Sequence, residues 1–121
     1  MDPLTGRVIG VAIGVHRELG PGLLESTYQT CMVHDLLASG LQFEWQKRMP
    51  ITYKGRRIKT AYRIDLLIEN ELIVELKCID RFEPVHTAQL LTYMKLSRCR
   101  TGLLINFKVP LLKDGIRRVV L

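Results

Sequence analysis

The chain has 121 residues, 47% hydrophobic and 25% charged, a balance that fits one folded domain with one core and excludes an intrinsically disordered chain. Eighteen basic against twelve acidic residues give a net charge of +6, which favours an anionic partner without identifying it. The three cysteines, Cys31, Cys78 and Cys99, lack C-x-x-C spacing, which excludes a zinc ribbon or a disulfide framework and fits a reducing, cytoplasmic setting.

Asp2-Pro3 is a helix-opening pair, and Leu4, Val8, Val11, Ala12, Val15 and Leu19 follow at helical spacing until Gly20-Pro21-Gly22 stops the helix. The apolar residues of this stretch are too often interrupted by glycine and charge for a signal peptide or a membrane span. A second helix is predicted from Leu23 to Ala38, with Leu24, Tyr28, Cys31, Met32 and Leu36 inward and Gly40 beyond its end. Extended segments follow at 43–49 and 50–53, separated by Pro50, which implies an edge or a bend. Lys54-Gly55-Arg56 is a turn, and Arg57 to Ile68 returns as a strand. After a second turn at Glu69-Asn70-Glu71 comes the strand Leu72 to Lys77. A third helix is predicted over 85–97, with an inward stripe of Val85, Ala88, Leu91 and Leu96, to which Leu90 and Met94 are candidates. An apolar strand at 101–107, a loop at 109–115 and a last strand at 116–121 complete an α/β fold around one mixed sheet, a single domain over residues 1–121.

The hairpin of the second and third strands carries the chemistry. If Ile68 pairs with Leu72, the same register sets Asp65 opposite Glu75 with side chains about 5 Å apart, and Lys77 lies one step further along that face. Leu67 and Ile73 share the face, and Ile64, Leu66, Ile68, Leu72, Val74 and Leu76 are expected on the other. Two carboxylates held in a partly covered place repel unless a cation compensates them or one keeps its proton. Paired carboxylates beside a backbone carbonyl are also the ligands that Mg2+ and Mn2+ prefer. A cross-strand salt bridge, its charges reaching solvent at an edge, is the other reading of the same three residues.

Further candidates stand on helices. Glu25 opens the second helix, either as an exposed acid complementing the helix dipole or as a member of a site. Gln89 and Tyr93, four apart on the third helix, share a face and can bond phosphate or orient a carboxylate. His86 reads as a cap or surface residue, with no second histidine spaced for zinc, and neither a nucleophile elbow, a phosphate-binding loop nor a dinucleotide fingerprint is present.

Gly22-Leu23-Leu24-Glu25-Ser26-Thr27-Tyr28 matches the signature of the GxxExxY proteins, a branch of the PD-(D/E)XK nuclease superfamily, which the chain resembles over nearly its whole length. Asp65 with Glu75-Leu76-Lys77, Gln89 with Tyr93, and Gly102 to Phe107 carry the rest of the resemblance. Ile64 stands where the superfamily motif has proline. The resemblance implies a restriction-endonuclease-like core and a nuclease that hydrolyses phosphodiester bonds in DNA with Mg2+ or Mn2+. It implies that Asp65, Glu75 and the Leu76 carbonyl hold the ion, with Glu25 extending the acidic cluster toward water or a second ion. Lys77 would orient or deprotonate the attacking water and stabilise the phosphorane charge, while Gln89 and Tyr93 would support the site near the phosphate. The expected partner is nucleic acid, DNA before RNA, gripped by a homodimer and with no membrane involved. Two alternatives stay open: a nucleic-acid-binding or accessory module of the same fold that turns over poorly, and an interaction protein whose trio is only a salt bridge.

Overall fold

Hydrophobic periodicity sorts the chain into two helices, a hairpin-rich run of strands, a crossover helix and two closing strands. The computed structural model describes residues 2–121. Helix α1 (Pro3–Leu19) is capped by Asp2, whose carboxylate accepts from the backbone N–H of Thr5 at 2.8 Å. Helix α2 (Glu25–Ser39) follows, then strands β1 (Phe43–Tyr53), β2 (Arg56–Ile68) and β3 (Leu72–Lys77), helix α3 (Pro84–Ser97), β4 (Thr101–Asn106), a 3-10 turn at Leu112–Gly115 and β5 (Ile116–Val120).

The five strands lie side by side in chain order, antiparallel except for β3 and β4, which α3 joins in parallel. Helices α1 and α2 cover one face, packing Val8, Ala12, Tyr28, Met32 and Leu36 onto Leu66, Ile68, Val74, Leu76 and Leu103. Helix α3 covers the other, with Leu90 and Met94 against Ile64, Leu67, Ile73 and Leu104. Close approach of α3 to β4 depends on Gly102, where a methyl group would stand 2.7 Å from the Met94 sulfur.

Both hairpin turns follow the expected chemistry. Lys54 and Gly55 adopt φ of 48° and 78° between the paired Tyr53 and Arg56, so β2 begins one residue earlier than the turn signal suggests. Glu69 and Asn70 are both left-handed in the second turn, and the register Ile68–Leu72, Leu67–Ile73, Leu66–Val74 is the one the sequence predicts. Strand β1 runs through Pro50 as the sheet's edge, and its register slips between Met49 and Ile51.

Three packing expectations are corrected. Leu24 lies before α2, whose first residue is Glu25, and is 74% exposed. On α3 the sheet-facing residues are Leu90 and Met94, while Val85 is 65% exposed and Leu96 also faces solvent. That helix is apolar nearly all round, so periodicity alone could not choose its buried side. Ile64 packs with Leu67 and Ile73 rather than with Leu66 and Ile68, so the alternation of faces changes between Ile64 and Leu66.

Candidate active site

Asp65 stands where the β2–β3 ladder ends. The last ladder pair is Leu66 with Val74, and one step beyond it side chains take over from backbone. The Asp65 N–H donates to the Glu75 carboxylate at 2.8 Å, and the Leu76 N–H donates to the Asp65 carboxylate at 2.9 Å. Each acid is therefore held by the opposite strand through one carboxylate oxygen. Strand β1 gives way at the same level: Gln46, between the paired Trp45 and Lys47, is left-handed at φ 51° and leaves the ladder. Its amide reaches Gln29 of α2 at 2.6 Å, and its own buried carbonyl oxygen has no partner.

Around this break lies an open cleft of about 500 Å3, lined by Glu25, Asp65, Glu75, Leu76, Lys77, Gln89 and Tyr93 together with Arg48, Tyr62 and Arg63. The structure thus brings every site residue picked from the sequence to one cleft. Lys77 donates to the Gln89 side-chain oxygen at 3.3 Å, and Tyr93 stacks on Tyr62 with ring centres 4.9 Å apart. Glu25 stands at the mouth, placed by the loop before α2. Tyr28 fixes that loop: its hydroxyl donates to the Gly20 carbonyl and accepts from the Leu23 N–H, and its ring stacks 4.3 Å from Phe107. Glu25 thus lines the cleft while Tyr28 anchors the loop that leads to it.

Three acids and three cations line the cleft, and the acids stand close enough to raise one another. Burial, then the charges of Asp65 and Glu25, push the Glu75 carboxyl up to about 8, against the Asp65 N–H and Lys77. Asp65 is raised chiefly by burial, against the Leu76 N–H, Lys77, Arg63 and Gln46. Partial burial and the charge of Asp65 raise Glu25 as well. Lys77 opposes the rise in all three acids. Burial, with Glu75 and Asp65, also raises the Tyr93 hydroxyl.

Among the described residues no three His, Cys, Asp or Glu side chains converge at metal-ligand spacing. Asp65 and Glu75 nevertheless form a hard-oxygen donor pair beside the Leu76 carbonyl, and the burial that raises both carboxyls is a cost that a divalent cation relieves, so the donor set fits Mg2+ or Mn2+. His86 has no such role: its Nδ1 accepts from the Glu83 N–H and caps α3, as its position predicts.

Sequence reasoning missed Gln46, Arg48, Tyr62 and Arg63. Arg63, two residues before Asp65, was legible as a charge beside the site. Arg48 and Gln46 are not, because only the β1–β2 register brings them there.

The fold and the acid pair with its lysine define a class, the nucleases built on a mixed sheet with D…E-x-K on adjacent strands. The sequence profile of the PD-(D/E)XK nuclease superfamily matches residues 2–119, and the chain belongs to that superfamily, whose members are generally hydrolytic nucleases. Among solved structures, one titled "Crystal structure of SSO0001" shares the fold, with a TM-score of 0.51 and 19% identity over 93% of this chain. The match spans 56% of that chain's length. No curated protein matches.

Proposed function

We propose that the chain is a GxxExxY-type, divalent-metal-dependent nuclease that hydrolyses phosphodiester bonds in DNA. The observation that carries this is the cross-held Asp65–Glu75 pair, Glu75 buried and Asp65 half-buried, opening with Lys77 onto a cleft of about 500 Å3. A surface salt bridge needs neither a broken ladder nor three acids raised together.

Asp65, Glu75 and the Leu76 carbonyl would hold Mg2+ or Mn2+, which when bound supplies charge neutralisation and Lewis-acid polarisation of the phosphate. Lys77, steadied by Gln89, orients the attacking water and offsets charge developing on the phosphoryl oxygens. Glu25 holds water from the helix side, and Tyr93 supports the phosphate from α3. In hydrolysis the water oxygen bonds to phosphorus and gives up a proton to solvent in the cleft, while the bond to the leaving sugar oxygen breaks and that oxygen takes up a proton from solvent to leave as the alcohol.

The test is cleavage of labelled duplex DNA, single-stranded DNA and RNA of one sequence with Mg2+, Mn2+ or chelator. Cutting is expected on DNA with either ion and is lost in chelator. Asp65→Asn, Glu75→Gln and Lys77→Ala should each lower the rate by on the order of a hundredfold or more. Cleavage that survives all three substitutions would overturn the assigned site, and salt-sensitive binding without cleavage would leave only a binding module. One cleft addresses one strand, so we include a homodimer and a cytoplasmic setting in this reading. Sedimentation of the protein on duplex should show two chains per duplex.

A further inference from the structure

Strands β1 and β2 outrun the sheet. Ladder pairing of β2 with β3 covers only Leu66 to Ile68, whereas pairing with β1 continues to Tyr53 and Arg56. Beyond Ile64 the hairpin is a two-stranded ribbon that runs from Lys47 to Tyr53, about 20 Å at the rise of extended chain. All of residues 52–61 are exposed.

This ribbon holds the charge of the molecule. Seven of the eighteen Lys and Arg residues, and none of the twelve acids, fall between 47 and 63. The remaining residues carry eleven basic against twelve acidic side chains, so the whole +6 excess sits on one hairpin. Among the described residues, Lys47 alone of the seven forms an ion pair, with Glu44. Arg48 and Arg63 are direct cross-strand partners, a like-charge pairing that costs stability unless an anion lies across it. Both line the cleft beside Asp65, and positive side chains recur beyond it at Lys59, Arg57 and Arg56 up to the tip at Lys54.

We propose that the β1–β2 ribbon is the arm by which this protein grips B-form duplex DNA, lying in the major groove with its root delivering one strand to the cleft. The major groove is about 12 Å wide and admits a two-stranded ribbon. The ribbon's length reaches over half of one helical turn, about 34 Å. Single strands are held by rows of exposed aromatics, and here Tyr62 is stacked on Tyr93, leaving Tyr53 as the ribbon's only exposed aromatic. A-form RNA presents a major groove too narrow for such an arm. The assignment rests on the nuclease reading for its direction, cleft to groove, but is tested apart from it.

The experiment uses the full chain carrying Glu75→Gln to block turnover, with fluorescence anisotropy on labelled duplex DNA, single-stranded DNA and duplex RNA across a salt series. Lys54→Ala/Arg57→Ala/Lys59→Ala is compared with Arg98→Ala/Arg100→Ala/Lys113→Ala, which removes equal charge elsewhere, after circular dichroism shows both fold. The ribbon variant should bind duplex DNA at least tenfold more weakly, with the slope of log affinity against log salt reduced by about 3. The control should change less than twofold, and duplex DNA should bind tighter than either other probe. Equal losses in the two variants, ribbon-variant binding like the parent, or tighter binding of single strands or duplex RNA would each overturn the proposal. Cleavage by the unblocked chain is scored separately. Ribbon-dependent binding with no cleavage overturns the nuclease reading and keeps the ribbon, and cleavage with ribbon-independent binding does the reverse.

Discussion

At the scale of single residues the molecule is organised around side chains that substitute for backbone. Glu75, 4% exposed, has a carboxyl raised from 4.5 to about 8 by burial and by Asp65 and Glu25. Without divalent ions the folded chain holds that proton more tightly than the unfolded chain does. The resulting stabilisation is complete below pH 4.5 and is lost as pH rises to about 8. Melting temperature in chelator should therefore fall across this window, Glu75→Gln should flatten the fall, and millimolar Mg2+ should restore stability at the alkaline end. Tyr28 offers a second test. Tyr28→Phe keeps the stack on Phe107 but strands the Gly20 carbonyl and the Leu23 N–H, so denaturant titration should show a loss of about 1–3 kcal/mol.

At the scale of elements, α3 shows what sequence could and could not convey. Its span was legible to within one residue, 85–97 against the observed Pro84–Ser97, but its inward face was not. Leu90, Leu91, Met94 and Leu96 surround the axis, and the choice fell to Gly102, the one place on β4 where a helix can approach so closely. Leu90→Ala should cost about 2–5 kcal/mol in equilibrium unfolding, and Val85→Gln and Leu96→Gln less than about 0.5. Gly102→Ala should cost about 1–3 kcal/mol, since its methyl meets Met94 and Leu90. The β2–β3 hairpin was the reverse case. Its register followed from where the apolar runs end and the turn begins, so Asp65 and Glu75 could be placed level. That the ladder stops between them was invisible, because a carboxylate accepting an opposing N–H leaves no trace in residue spacing.

At the scale of the whole molecule, basic residues that look scattered along the chain are gathered by folding. Lys47-Arg48 and the cluster from Lys54 to Lys59 lie on two strands, and the hairpin stacks them into one arm while the remaining surface stays close to neutral. Two apolar cores on opposite faces of the sheet meet at β2–β4, and the acid pair sits where both thin out toward the ribbon. No helix among the described residues is long and apolar enough to cross a membrane.

The exchange of hydrogen bonds at the broken ladder gives the molecule two built-in indicators. The amide proton of Asp65 reads the carboxylate of Glu75, and that of Leu76 reads the carboxylate of Asp65. Each acid thus writes its ionisation onto a proton of the neighbouring strand. In a nitrogen–proton correlation spectrum these two resonances should shift as each acid loses its proton, and shift again, without unfolding, when a cation settles between them.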